Sequence, residues 1–218
     1  MRRIFAALMI TLSLASASVD DLLYDAAAAI DRFMAIPEEQ IPPKLFKKAH
    51  AIAIIPDMIR GGFVLGARYG RGVVLFRKND GTWSNPIFIK MYGGSIGWQV
   101  GLESVDVVLF FMKPDIFKDI AEGKLTLGVD LSVAVGPVGR SAMAGTDLKL
   151  SSEVYSYSRS KGAFIGIALA GSQIEPDPEY NEAFYGSTYI RLEDIFSKEF
   201  HNPRLDLLKK KLREYANW

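Results

Sequence analysis

The sequence predicts an α+β protein: a curved or barrel-like antiparallel β-sheet core with peripheral amphipathic helices. Three observations predict it. Apolar residues between 61 and 101 come in short β-branched and aromatic runs, which suit strands. Ten of the nineteen glycines lie in that stretch, with Gly62, Gly66 and Gly70, and again Gly93, Gly97 and Gly101, four residues apart. The clearest helical periodicities, at residues 19–34 and 204–215, flank it. In a strand an even spacing keeps residues on one face, so each glycine set predicts a bare track where a backbone or a ligand lies close. The same spacing occurs in membrane helices, but Arg68, Arg71 and Gln99 interrupt both tracts.

In chain order, Met1-Arg2-Arg3, the apolar run Ile4 to Leu14 and Ala15-Ser16-Ala17 read as a signal peptide, with cleavage after Ala17 and export to a periplasm or beyond. The remaining chain, 18–218, reads as a single domain. At residues 19–34, Val19, Leu22, Leu23, Ala26, Ile30, Phe33 and Met34 form an apolar helical stripe. The opposite face is acidic, with Asp20, Asp21, Asp25 and Asp31 against Arg32. Pro42-Pro43 starts a short helix. Residues 51–55 read as a buried strand closed by Pro56, and Asn79-Asp80-Gly81 as a hairpin turn. Residues 106–111 (DVVLFF) suit a strand covered on both faces. A short helix is expected over 114–122 and a strand over 127–135. A strand pair, 153–158 and 163–170, joins through Arg159-Ser160-Lys161-Gly162, and another short helix falls within 176–185. Asn202 and Pro203 then open the last helix, which carries Leu205, Leu208, Leu212 and Tyr215 on one stripe and Lys209, Lys210, Lys211 and Arg213 near its end. Two placements are open to it, a membrane interface or a docked position on the domain.

Composition narrows the function. With no cysteine there is no disulfide and no thiolate chemistry. Removing Arg2 and Arg3 takes the formal charge from +1 to −1, unlike the basic excess of a nucleic-acid binder. His50 and His201 lie far apart, and no metal or cofactor motif occurs, so no cofactor is expected. Gly93-Gly94-Ser95-Ile96-Gly97 matches G-x-S-x-G, with an acid and His201 downstream, but that motif needs a strand, a sharp turn and a helix, and residues 98–101 read as extended. What remains is a set of cations beside turns and glycines: Arg68, Arg71, Arg77, Lys78, Lys90, Arg140, Arg159 and Lys161. Such cations beside free backbone N–H groups suit a phosphate or anionic head group. Arg140 and Arg159-Ser160-Lys161 are the foremost, because each sits in or ends a turn.

The segments AIAIIP (51–56), GFVLGARYGRGVV (62–74), GTWSNPIFI (81–89), GWQVG (97–101), AVGPVGR (134–140) and YSYSRSKGAFIGIALAGSQIEPDPEYNEAFYG (155–186) resemble the SYLF domain family in order and spacing. The resemblance covers residues 20 to 196. It implies a compact β-rich domain with peripheral helices and binding to membrane lipids, phosphoinositides in eukaryotic members. It also implies actin binding in yeast members, with no established catalysis. In animal members an amphipathic N-terminal helix is associated with lipid binding; its positions here are Leu22, Leu23, Ile30, Phe33 and Met34. The acidic polar face and the export signal depart from that pattern. The expectation is therefore a non-enzymatic, exported domain that binds anionic phospholipid at a membrane surface through Arg71, Arg77, Arg140, Arg159, Lys161, Leu22, Leu23 and Phe33. An envelope scaffold with a protein partner is the alternative.

Overall fold

The computed structural model describes residues 18–97, 102–114, 116–123, 125–139, 151–187, 189 and 191–217. The segment expected to be a signal peptide (1–17), Arg140 and the GWQVG segment beyond Gly97 lie outside the described residues.

Among the described residues, eight strands form one strongly curled half-barrel: β1 (Ala51–Phe76), β2 (Ile87–Gly97), β3 (Leu102–Phe111), β4 (Leu125–Thr126), β5 (Val133–Val135), β6 (Val154–Ser160), β7 (Ala163–Phe164) and β8 (Ser172–Pro176). The sheet order is β4-β8-β2-β1-β3-β6-β5, with β7 paired to β6. The sheet is mixed rather than purely antiparallel, since β5 runs parallel to β6. Around it, among the described residues, lie α1 (Val19–Met34), α2 (Pro43–Lys48), α3 (Ile116–Ala121), α4 (Pro178–Tyr185), α5 (Leu192–Phe196) and α6 (Pro203–Ala216).

β1 is the organising strand. Its first part pairs with β3 and its second part with β2, both antiparallel. Pro56 does not close it. A register shift between Ile55 and Met58 absorbs the proline as a bulge, and Asp57 takes φ +47° there. The strand curls until its two parts meet: a Cβ at Gly70 would lie 2.6 Å from Ile55 Cγ2, and one at Gly72 would strike the Ile54 carbonyl oxygen. At Gly93 the space is taken by the backbone of Gly171 and Ser172. At Gly70 and Gly93, two positions of the expected bare tracks, the space is therefore filled by the protein itself, and these glycines, with Gly72, serve curvature rather than a guest.

Each face of the sheet has its own core. Val108 and Phe110 of β3 join α1, α2 and α6 on one side, while Val107, Leu109 and Phe111 join α3, β4 and β8 on the other. This is the double covering that DVVLFF predicts. α1 starts at an N-cap, Ser18, whose hydroxyl accepts from Asp21 N at 3.1 Å while Asp21 answers the Ser18 backbone N–H. Its apolar stripe faces the sheet, and α6 packs on α1 through buried Leu205, Leu208 and Leu212. Asn202 caps α6 as expected. The strand expected over 127–135 is broken instead, because Asp130 accepts from Thr126 N at 2.6 Å and Gly128 turns back at φ +80°. The partner strand expected over 163–170 is paired to β6 only at its start, as β7.

Candidate functional site

Strand alternation builds the site. Along β3, Phe110 and Val108 lie in the core beneath the helices, and the next residues on that face are Asp106, Ser104 and Leu102. Along β6 the matching series is Tyr155, Tyr157 and Arg159, with Arg159 directly across from Asp106. Where α1 ends at Met34, the covered apolar face gives way to a charged one. The result is a cleft of about 510 Å³ lined by Arg32 from α1 and Ala35 just past its end, Asp57 from the β1 bulge, Leu102 to Ser104 and Asp106 from β3, and Arg159 to Gly162 from the end of β6 and the β6–β7 turn.

Asp106 is the hub of its floor. The carboxylate accepts from Arg32 Nε at 2.6 Å, from Arg32 Nη2 at 2.9 Å and from Asp57 N at 3.2 Å. It thus ties the end of α1 to the bulge, and its hydrogen bond raises the pKa of Arg32. Glu103 is paired with Arg60 at 2.6 Å. The Ser160 hydroxyl and the Arg60 guanidinium hold its carboxyl below the usual range. Asp25 on α1 is shifted the other way, raised by burial and by the charge of Asp57.

Arg159 is 7% exposed. Its Nη2 donates to Gly162 O, its guanidinium lies 5.7 Å from the Phe164 ring centre, and its buried Nη1 has no acceptor among the described residues. A buried donor without a partner is costly, of the order of 1–3 kcal/mol, and marks a place where an acceptor belongs. Lys161 is exposed at the rim, in the positive-φ turn Lys161-Gly162 between β6 and β7. Outside the charged floor stand two exposed apolar residues, Leu102 (84%) and Ile59 (46%).

The other expected site residues that the structure describes lie elsewhere. Arg71 pairs with Asp177 at 2.8 Å and with Glu179 at 2.6 Å, and stacks on Tyr180, which fastens α4 to β1. Arg77 donates to the carbonyls of Ala49, Gly81 and Phe46 and stacks on Trp83; it lines a separate pocket of about 380 Å³ with Lys47, Lys209 and Arg213. Arg68 is buried and donates to the Ala168 and Gly94 carbonyls. Leu22, Leu23 and Phe33 are buried in the core, with Phe33 edge-on to Phe164 at 5.3 Å, so in this conformation they hold α1 down and are not offered to a lipid. Ser95 falls within β2, so the strand-to-helix elbow of a G-x-S-x-G nucleophile is not formed. Of the described members of the expected set, only Arg159 and Lys161 meet in one cleft. Arg32, Asp57, Glu103, Ser104 and Asp106 complete it and were not among the expected site residues. The sequence signal for Asp106 is a lone charge in phase with the buried side of an apolar strand, and for Arg32 a lone cation on an acidic helix face.

The family model described as "Ysc84: Las17-binding protein actin regulator" matches residues 92–215. SH3 domain-containing YSC84-like protein 1 of Xenopus laevis is 38% identical over 168 residues, which is 77% of this chain and 50% of that protein. LAS seventeen-binding protein 3 of Saccharomyces cerevisiae is 41% identical over 152 residues, 68% of this chain and 33% of that protein. Protein YSC84 of the same yeast is 40% identical over the same length, covering 32% of that protein. The chain thus spans about a third to a half of the length of these curated relatives. Their names are those of binding and regulatory proteins, not of enzymes.

Proposed function

Because this chain belongs to the Ysc84, or SYLF-domain, family, we propose that it is an exported, non-enzymatic domain that binds a phosphate-bearing lipid head group at a membrane surface. The observation that carries the reading is the buried, unpartnered Nη1 of Arg159 beside exposed Lys161, in a cleft with an apolar lip. Guanidinium and ammonium donors of this kind match phosphate oxygens. Leu102 and Ile59 at the lip give a lipid surface something to take up. Cleavage after Ala17 is compatible with the fold, because it leaves Ser18 and Asp21 to cap α1. The test is co-sedimentation with phosphatidylcholine vesicles, with and without phosphatidylglycerol. Binding should favour the anionic vesicles, weaken with salt and fall in Arg159→Ala and Lys161→Ala. Equal binding of both vesicle types by all three proteins would remove the role given to these cations.

The names of the yeast relatives favour a second reading, in which the domain is an envelope scaffold that engages a protein partner. Under it the purified protein ignores vesicles of every composition, and a partner cross-linked in the envelope maps to an exposed edge or helix away from Arg159.

A further inference from the structure

We propose that the cleft selects a zwitterionic head group, a phosphate joined to a primary ammonium, with Asp57 receiving the ammonium and Arg159 and Lys161 the phosphate. The inference rests on the phosphate-binding reading above and adds the second pole of the ligand.

It follows from what the cleft's own ion pairs leave over. Arg32 is paired with Asp106 and Arg60 with Glu103. Among the described residues, Arg159 and Lys161 then have no carboxylate within ion-pair distance, and Asp57 has no cation within it. Asp57 is exposed and accepts one side-chain hydrogen bond, from Ser104 Oγ at 2.8 Å, so its carboxylate keeps acceptor capacity. A purely anionic guest held by Arg159 and Lys161 would meet Asp57 as a like charge. A guest with an ammonium beside its phosphate meets an opposite one, and the same carboxylate that repels the first selects the second. A primary ammonium has N–H donors to give Asp57, whereas a quaternary one has none.

The backbone points to the same two residues. Asp57 (φ +47°) and Lys161 (φ +48°) are the only non-glycine residues with positive φ among the described residues, and both line this cleft. Aspartate, like asparagine, tolerates that region, whereas it is costly for a lysine. The chain nevertheless keeps an ammonium at Lys161, and it keeps a carboxylate at Asp57 where asparagine or glycine would serve the backbone equally.

The experiment compares sedimentation with vesicles of phosphatidylcholine alone, phosphatidylcholine with phosphatidylethanolamine, and phosphatidylcholine with phosphatidylglycerol. The unaltered chain should bind the ethanolamine vesicles more tightly than phosphatidylcholine alone. Asp57→Asn should reduce that advantage by about two- to fivefold, the range of a single exposed ion pair, while binding to the glycerol vesicles holds or rises. Asp57→Gly, which suits the same backbone conformation, repeats the test where the asparagine variant folds poorly. If ethanolamine gives no advantage and Asp57→Asn changes nothing, while glycerol binding still depends on Arg159 and Lys161, zwitterion selection is overturned and the phosphate reading stands. If Arg159→Ala and Lys161→Ala are silent on every vesicle, both fall. A calorimetric titration with soluble O-phosphoethanolamine and glycerol phosphate separates the sources: preference for the former in solution, lost in Asp57→Asn, supports the same recognition with a free phosphate ester as guest.

Discussion

Lys161 shows how a single residue is held against its conformational preference. It occupies the first position of a two-residue turn whose φ of +48° suits asparagine or glycine better. Lys161→Asn should therefore raise stability, by about 0.5–1 kcal/mol, while weakening vesicle binding. A thermal melt and a sedimentation assay on the same sample check both, and a variant that loses stability along with binding would count against a functional lysine. Asp25 makes a second case. Burial and the neighbouring Asp57 raise its pKa above the ordinary 3.8, so its ionised form costs the fold stability. That cost is fully present above the folded pKa, shrinks as pH falls through it and is gone below 3.8, where both states bind the proton. Asp25→Asn should raise Tm at pH 7 and leave it nearly unchanged near pH 3; equal gains at both values would exclude an ionisation effect. At this scale the sequence is legible where a cation sits in a turn, as with Arg159 and Lys161. It is not legible for Arg71 and Arg77. Their partners, Asp177 in one case and the Ala49 and Phe46 carbonyls in the other, come from distant parts of the chain.

Elements were readable from periodicity, but what covers them was not. The α1 stripe at 19–34, the capped α6 and the doubly covered β3 follow from spacing alone. Whether an apolar stripe faces a sheet or a membrane is not written in its spacing, and here it faces the sheet. The test is Phe33→Ala. This ring has no exposed surface and packs edge-on to Phe164, so its loss should cost about 3–5 kcal/mol. For a chain of this size that is a fall in Tm of roughly 6–20 °C. A variant that kept its Tm and lost only vesicle binding would show that α1 leaves the sheet to meet lipid. β1 departs from its sequence pattern for a different reason. Pro56 normally ends a strand, and only the later pairing with β3 shows that the ladder resumes after a bulge. The glycines signalled close approach correctly. The approaching atoms at Gly70 and Gly72 belong to the same strand, because a strand this long curls back on itself.

For the whole molecule, the two ends of the α1-covered face differ in kind. Beneath the helices it is a closed core built on Val108, Phe110 and Tyr157; beyond Met34 it opens into the charged cleft, with Leu102 and Ile59 standing outside it. If a membrane is met, this end meets it, since here exposed apolar side chains lie beside cations that have no carboxylate within ion-pair distance among the described residues. Such an arrangement sets an orientation: the lip enters the interface while Arg159 and Lys161 lie at head-group depth. Leu102→Asp tests it. The side chain is 84% exposed, so the substitution should change stability by no more than about 0.5 kcal/mol, yet it places a carboxylate where the lip would enter. Vesicle binding should fall while the thermal melt is unchanged, the reverse of the pattern expected for Phe33→Ala, whose damage is to the fold. Full binding by Leu102→Asp would turn this end of the half-barrel away from the membrane and leave the cleft to a soluble guest.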